Sequence, residues 1–340
     1  MSEAQSNPAP AKPAITDRNW IPILAKYWKP SMARSMAELF ITIIPFFLCW
    51  AAAYWALSVS YWLTLALVIP TAGFMVRMFL IQHDCGHGAF FEKRRYNDWV
   101  GRFLGIFSLT PYFVWHKAHA IHHAGSGNLE KRGLGDISTL TVAEYQALTP
   151  LGRFGYRAYR HPLVLFGIGP AYNFWIRQRL PLGFMRAGWR YWVSAMGTNF
   201  AMLIVAAIVI YFIGFKAFLL VHLPITVIAT SIGVWLFYVQ HQFEDTYWNH
   251  GPDWELQDAA LFGSSHYDLP GILRWFTANI GVHHVHHLNA RIPYYRLPQI
   301  LRDFPELANV RRLTLWQSLA CVKLALWDEN ARKLVPIRSV

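Results

Sequence analysis

Four stretches of this 340-residue chain are apolar for about as long as a helix needs to cross a bilayer, about 20 residues. They lie at about 38–57 ("ELFITIIPFFLCWAAAYWAL"), 61–81 ("YWLTLALVIPTAGFMVRMFLI"), 192–213 and 217–240. Three residues separate the first from the second, and three the third from the fourth. Gaps that short force antiparallel neighbours, so the pattern predicts two transmembrane hairpins. Two weaker apolar stretches, 100–115 and 163–176, are short or broken by Gly and Pro and read as interfacial or re-entrant helices. The predicted fold class is therefore an all-α integral membrane protein, with four transmembrane helices in two hairpins and a helical cap on the cytosolic side. Residues 1–34 are polar and Pro/Ala-rich at their start and read as a disordered lead. The body is set at 35–310, and 311–340 reads as a cytosolic tail.

Composition agrees, at 54% hydrophobic and 15% charged residues. The formal net charge of +12 could also belong to a nucleic-acid binder, so the location of the charges must decide. If the N-terminus is cytoplasmic, segments 1–37, 82–191 and 241–340 share that side and hold 29 of the 31 Lys and Arg residues. Arg77 lies near the inner end of the second span, and Lys216 alone falls in an outer turn. This positive-inside bias places both termini in the cytoplasm and removes the case for nucleic acid. Cys49, Cys85 and Cys321 are far apart with no CxxC pair, which excludes a disulfide framework or a thiolate metal site.

Histidine is the unusual residue. "HDCGH" at 83–87, "HKAHAIHH" at 116–123 and "HHVHH" at 283–287 all fall on the cytoplasmic side, each near a membrane boundary. His83 and His87 are spaced i, i+4; His119, His122 and His123 are spaced i, i+3, i+4, as are His283, His286 and His287. On a helix such residues share a face and can converge on one centre. Eight ligands exceed the three or four that one zinc ion takes, so two ions sharing imidazoles are expected. Imidazole suits iron, copper, nickel and zinc. Asp84 stands between two of the histidines as a candidate acceptor for a ring N–H. His116 and His284 are extra to the repeated spacing and read as neighbours, and His161, His222, His250 and His266 as ordinary residues. A membrane metal transporter, the remote alternative, would group ionisable residues inside its spans; only Glu38, Arg77 and His222 occur there, and they form no path.

The three runs resemble the HxxxH, HxxHH and HxxHH boxes of the membrane fatty acid desaturases. Over about residues 35–310 the wording, including "HDCGHGAFF", "GDISTLTVAEY", "YVQHQFED" and "YDLPGILRWFTANIGVHHVHHLNARIPYYRL", is similar to the acyl-lipid delta-12 or omega-6 kind. The resemblance implies a non-haem di-iron centre, O2 as co-substrate, a fatty acyl lipid substrate and aerobic insertion of a double bond, by delta-12 action from oleoyl to linoleoyl. It adds His241 in "YVQHQFE" as a ninth ligand and Asn279 as a residue set behind the ligands. In one branch an Asn four residues before that histidine holds a metal-bound water, and here the position is Phe237. No His-Pro-Gly-Gly haem motif occurs, so the two electrons are expected from a separate donor of ferredoxin or small-cytochrome type. Hydroxylation or ketone formation on a fatty acid, carotenoid or alkane is the alternative outcome at such a centre.

Overall fold

A computed structural model describes residues 14–340. Two long helices open the body, α1 (Met32–Ala56) and α2 (Tyr61–His87). The Ser31 side chain caps α1 by accepting from the Arg34 N–H. Helix α2 runs six residues past the apolar stretch that predicts it. Its last turns, Gln82 to Gly86, are buried by the cap rather than by lipid, and Gly88 at φ 69° ends it in the left-handed conformation that glycine adopts freely. The first histidine run thus rides on the end of a helix that is long and apolar enough to cross a membrane.

The stretch expected as one interfacial element at 100–115 is two helices, α3 (Arg94–Phe107) and α4 (Tyr112–Gly125). Between them Leu109 takes φ 58° and Pro111 ends the turn. The turn is tied down from α2: Gln82 donates to the Thr110 carbonyl at 3.2 Å and accepts from the Ser108 hydroxyl at 2.5 Å. Strand β1 (Leu140–Thr141) and helix α5 (Pro150–Arg160) follow. The 163–176 stretch is a π-turn, Val164–Ile168, running into α6 (Gly169–Trp175).

The second hairpin is α7 (Trp189–Ile213) and α8 (Phe215–His241), joined through Gly214 alone, at φ 81°, where a three-residue gap was expected. The chain then forms β2 (His266–Asp268), the short helices α9 (Gly271–Phe276) and α10 (His283–Leu288), and strands β3 (Arg312–Thr314), β4 (Leu324–Asp328) and β5 (Lys333–Pro336). Helices α1, α2, α7 and α8 are each long and apolar enough to cross a membrane. The most apolar stretch of α7 has no buried residue, whereas 61% of that of α2 is buried, so α2 is the central post and α7 lies at the periphery, packed through its first half at Ala195 and Asn199.

The ends of the chain differ from the expected lead and tail. Residues 1–13 of the expected lead lie outside the described residues. From Ala14 onward the segment packs on the cap: Trp20 and Leu24 are fully buried, the Trp20 indole donates to the Ile15 carbonyl at 2.8 Å, and its ring meets Phe304 edge-on at 5.4 Å. Residues 311–340 are not a loose tail. Strand β4 pairs parallel with β1 and antiparallel with β5, and β3 pairs parallel with β2. Leu326, Trp327 and Leu334 are buried there because these short strands close the cap over α5 and α8. One apolar core runs continuously from the spans into the cap.

Trp20→Ala should open a cavity at the junction of lead and cap and cost about 3–5 kcal/mol. A thermal melt of the detergent-solubilised protein checks this; an unchanged midpoint would mean that the lead is not part of the folded unit.

Candidate metal centre

Each histidine run is delivered by a helix end. His83 and His87 lie on one face of the last turn of α2. Helix α4 carries His119, His122 and His123, and α10 carries His283, His286 and His287. His241 is the last residue of α8. The entry to α10 is tight: a methyl on Gly281 would stand 2.2 Å from the Tyr267 carbonyl oxygen, so only glycine fits. Just before it, Ala278 and Asn279 are both left-handed, at φ 47° and 55°.

The nine rings sort into two groups whose nitrogens could each surround one ion. His83, His87, His119, His123 and His286 form the first; His122, His241, His283 and His287 form the second. Within each group one ring nitrogen per residue lies within 4.8 Å of all the others. The sorting follows helix geometry. Helix α4 gives an i, i+4 pair to the first group and its i+3 residue to the second. Helix α10 does the reverse, and α2 adds a pair to the first group while α8 adds one residue to the second. The groups abut, with His123 stacked on His287 at 4.1 Å between ring centres.

The hydrogen bonds set which nitrogen faces inward. His122 Nδ1 lies 2.5 Å from Asp136 Oδ1, and a carboxylate can only accept, so Nδ1 carries the proton. His241 Nδ1 donates to the Gly263 carbonyl at 3.2 Å. Both Nε2 atoms then present lone pairs, and they face each other at 3.1 Å. The same Nε2–Nε2 approach recurs for His241–His283 at 3.0 Å, His283–His287 and His119–His123 at 3.1 Å, and His123–His286 at 3.2 Å. The Nε2 atoms of His83 and His87 are buried with no hydrogen-bond partner. Facing lone pairs repel unless a cation lies between them. A proton is a poor candidate, because burial first and neighbouring imidazoles second hold His119, His123, His283, His286 and His287 well below the ordinary imidazole range. Metal–nitrogen bonds of about 2.0–2.1 Å place neighbouring ligands roughly 2.9–3.4 Å apart for square to tetrahedral angles, and these separations match. The residues therefore fit two metal ions, each held by imidazole alone.

The groups behind the rings are partly those expected. Asp84 is buried, with Oδ1 3.3 Å from His83 Nδ1 and Oδ2 accepting the Tyr294 backbone N–H at 2.7 Å. Asn279 points elsewhere: its amide donates to the Tyr294 carbonyl at 3.4 Å, and its left-handed backbone accounts for an Asn there. Phe237, one turn before His241, sets its ring 5.0 Å from His122 and 5.1 Å from His241. Beside it a cavity of about 20 Å³, large enough for one water, is lined by His122, Asp136, Phe237, His241 and Gln242 among others. Asp136 is the residue that the spacing did not reveal; it lies in a Gly-bounded loop, "GLGDIS", with no periodicity to mark it.

The remaining histidines stand outside both groups. His116 stacks on Tyr112, and burial lowers it to about 4. His284 lies against the Leu307 carbonyl at 2.9 Å and His266 against that of Ala308 at 2.6 Å. His250 is exposed between Glu130 and Glu329, and His222 packs within α8 on Phe218.

Comparison with known proteins gives the same direction. The family model described as fatty acid desaturase matches residues 60–318. A protein named fatty acid desaturase from Bacillus subtilis (strain 168) is 45% identical over 317 residues, 93% of this chain and 90% of that protein. A Synechocystis protein named sn-1 acyl-lipid omega-3 desaturase (ferredoxin) is 28% identical over 82% of this chain and 77% of its own length. Another from the same organism, named sn-1 oleoyl-lipid 12-desaturase, is 27% identical over 64% and 62%.

The depressed imidazoles predict how the metal-free protein responds to acid. The unfolded chain takes up protons below the ordinary value of about 6.5, while the folded rings stay neutral. Stability is thus full above that pH and is lost as pH falls toward the depressed native values. His250 has the opposite sign, being raised by Glu130 and then Glu329, but it is exposed and contributes little. Thermal melts of chelator-treated protein between pH 8 and 5 should show a midpoint that declines from about 6.5 downward. A flat profile would contradict a buried neutral cluster.

Proposed function

This chain belongs to the fatty acid desaturase family, and we propose that it inserts a double bond into the acyl chain of a membrane lipid at a centre of two iron ions. The observation that carries the proposal is the convergence of nine imidazoles as two groups of five and four, with one ring nitrogen per residue within 4.8 Å of the others in its group. In this reading His83, His87, His119, His123 and His286 hold one iron, and His122, His241, His283 and His287 hold the other. When bound, the irons supply the activation of O2 that removes two hydrogens from neighbouring methylenes, with two electrons drawn from outside.

The chain's own residues hold the centre, keep it dry and guide the acyl chain. Trp115 stacks on His119 at 4.6 Å, and Phe79 meets Trp115 edge-on at 5.3 Å, giving the first group an apolar wall that continues to Phe174. Trp275 and Phe276 pack on Phe74 of α2, and the chain passes from them into α10. An acyl tail entering from the bilayer along these rings reaches the histidines without crossing bulk water. Both termini and the histidine runs lie on the cytoplasmic side in this reading. Its support is the even number of spans and the 29 of 31 basic residues on that side. A separate acidic carrier of ferredoxin type is the electron donor, by analogy with the Synechocystis relative named for it.

For the position of the new bond we propose the delta-12 bond of an oleoyl lipid, supported by the wording of the histidine boxes and by the relative named oleoyl-lipid 12-desaturase. The omega-3 position is the second reading, favoured by the longer match to the relative of that name. The name of the Bacillus subtilis relative specifies no position.

Purified protein should carry about two irons per chain. His119→Ala or His283→Ala should abolish activity while the protein still inserts, and His222→Ala should be nearly silent. Full activity with zinc alone would end the di-iron reading.

Expression in a host lacking desaturases, fed labelled stearate, oleate or linoleate in turn, locates the double bond by mass spectrometry of methyl esters. Delta-12 action predicts linoleate from oleate and no product from stearate. A first double bond in stearate would refute that position while leaving the desaturase intact. A hydroxylated or keto product would replace the reaction itself.

A further inference from the structure

Glu38 and Arg77 sit in α1 and α2 within the spans, each 1% exposed, and neither belongs to the histidine groups. Burying a charge pair is costly, and ionisable residues at membrane depth generally serve a task. The task is visible in where their bonds go. Arg77 donates to the Glu38 carboxylate, to the Thr42 hydroxyl at 3.1 Å and to the Trp275 carbonyl, which ends α9. Its guanidinium lies 4.2 Å from the centre of the Trp275 ring and reaches the Tyr294 hydroxyl at 3.3 Å. The Tyr294 hydroxyl donates to Glu38 at 2.9 Å. The second oxygen of Glu38 pairs with Arg34, which is exposed, at 2.7 Å.

Trp275 and Tyr294 bracket the segment that carries His283, His286 and His287. Helix α10 has six residues, too few to be stable alone, and the turn before it holds two left-handed residues. Its six residues are buried against the helix Leu256–Phe262, and the flanking residues Trp275 and Tyr294 are both fastened to the same ion pair. Tyr294 also passes the connection onward. Its backbone N–H donates to Asp84 Oδ2, and Asp84 Oδ1 faces His83 Nδ1. A continuous bonded chain therefore joins a charge pair in the spans to a ring of the five-histidine group, through the loop that closes the third histidine run.

We propose that Arg77 and Glu38 are positioning residues. They hold the loop at Tyr294 and, through Tyr294 and Asp84, fix the orientation in which His83 presents Nε2 to the five-histidine group. The inference rests on the reading that the groups hold iron. It adds that the two irons depend on different supports: the first on this clamp, the second on Asp136.

Tyr294→Phe is the sparing test, because it removes one hydroxyl and keeps the backbone N–H to Asp84. The full-length protein, loaded with isotopically labelled iron, is read by Mössbauer spectroscopy and by the rate of iron loss to a chelator. One of the two iron signals should change its quadrupole splitting, and that iron should leave about tenfold faster, while the other stays as in the wild type. The double variant Glu38→Gln with Arg77→Met, which leaves no unpaired buried charge, should give the same one-iron change. Asp136→Asn should perturb the other signal. Two unchanged signals in Tyr294→Phe, or a lowered melting midpoint with unchanged signals, would overturn the clamp and leave the pair as structural glue. If the double variant does not insert, Tyr294→Phe alone decides. Wild-type protein that binds no iron would instead bring down the di-iron reading. Iron-loaded protein that responds to Asp136→Asn but not to Tyr294→Phe would remove only the clamp.

Discussion

Nine imidazole lone pairs aimed at two spots repel one another, and the rest of the fold has to hold them there. The closest Nε2 atoms stand 3.0–3.2 Å apart, and in His122 and His241 the other ring nitrogen carries the proton. Nothing within the cluster favours this arrangement until cations enter it, so the scaffold supplies the rigidity in advance. Three devices do so. Pairs at i, i+4 on α2, α4 and α10 let one backbone fix two rings. Acceptors behind the rings, Asp136 and the Gly263 carbonyl, hold the proton on Nδ1 and so leave Nε2 free. Burial holds His119, His123, His283, His286 and His287 well below the ordinary imidazole range.

The membrane spans belong to the same solution. A helix running free in the cytosol would leave its end to fray, but α2 is packed along most of its length before it delivers His83 and His87. Helix α8 is less buried along its span, but its last turn, Tyr238 to His241, is buried where it delivers His241. The shorter helices cannot anchor themselves, and they are tied to these posts. Gln82 and Arg179 grip the turn before α4, the latter through the Leu109 carbonyl, and Arg77 grips the end of α9. Rigid spans thus act as the frame, and the cap supplies the remaining ligands on elements fastened to it.

The interleaving of ligands has a consequence for assembly. Because α4 and α10 each serve both groups, both groups need these two helices in place, while α2 and α8 each serve one. A displacement of α10 moves a pair in one group and a single ring in the other. The second group is the smaller, and Phe237 and the adjoining cavity lie on its side. The two groups would therefore hold their ions in unlike surroundings even though every candidate ligand is the same kind of ring.

How much of this was legible follows from the range of each signal. The four spans and three histidine runs are written locally, as apolar length and as spacing on one helix, and both survive in the structure. The strands β1 to β5 have two to five residues, too few for alternation to mark them, and β1 and β2 pair with partners far along the chain. Trp20 looked like part of a polar lead because its partners, Gln257 and Phe304, come more than two hundred residues later. Asp136 had no spacing to betray it. Glu38 and Arg77 are the instructive case. Each was noted as an ionisable residue in a span and set aside as part of no path. Yet in a tight antiparallel hairpin, residues nearly equidistant from the turn must lie level. Thr64 reaches the Ala53 carbonyl across α1 and α2 close to the turn, and further along the same hairpin Glu38 meets Arg77. Two opposite charges, 19 and 16 residues from the two sides of a three-residue gap, were close enough to level to be read as an ion pair. The step left out was to apply hairpin geometry to the rare polar residues, where the low dielectric makes an unpaired charge least tolerable.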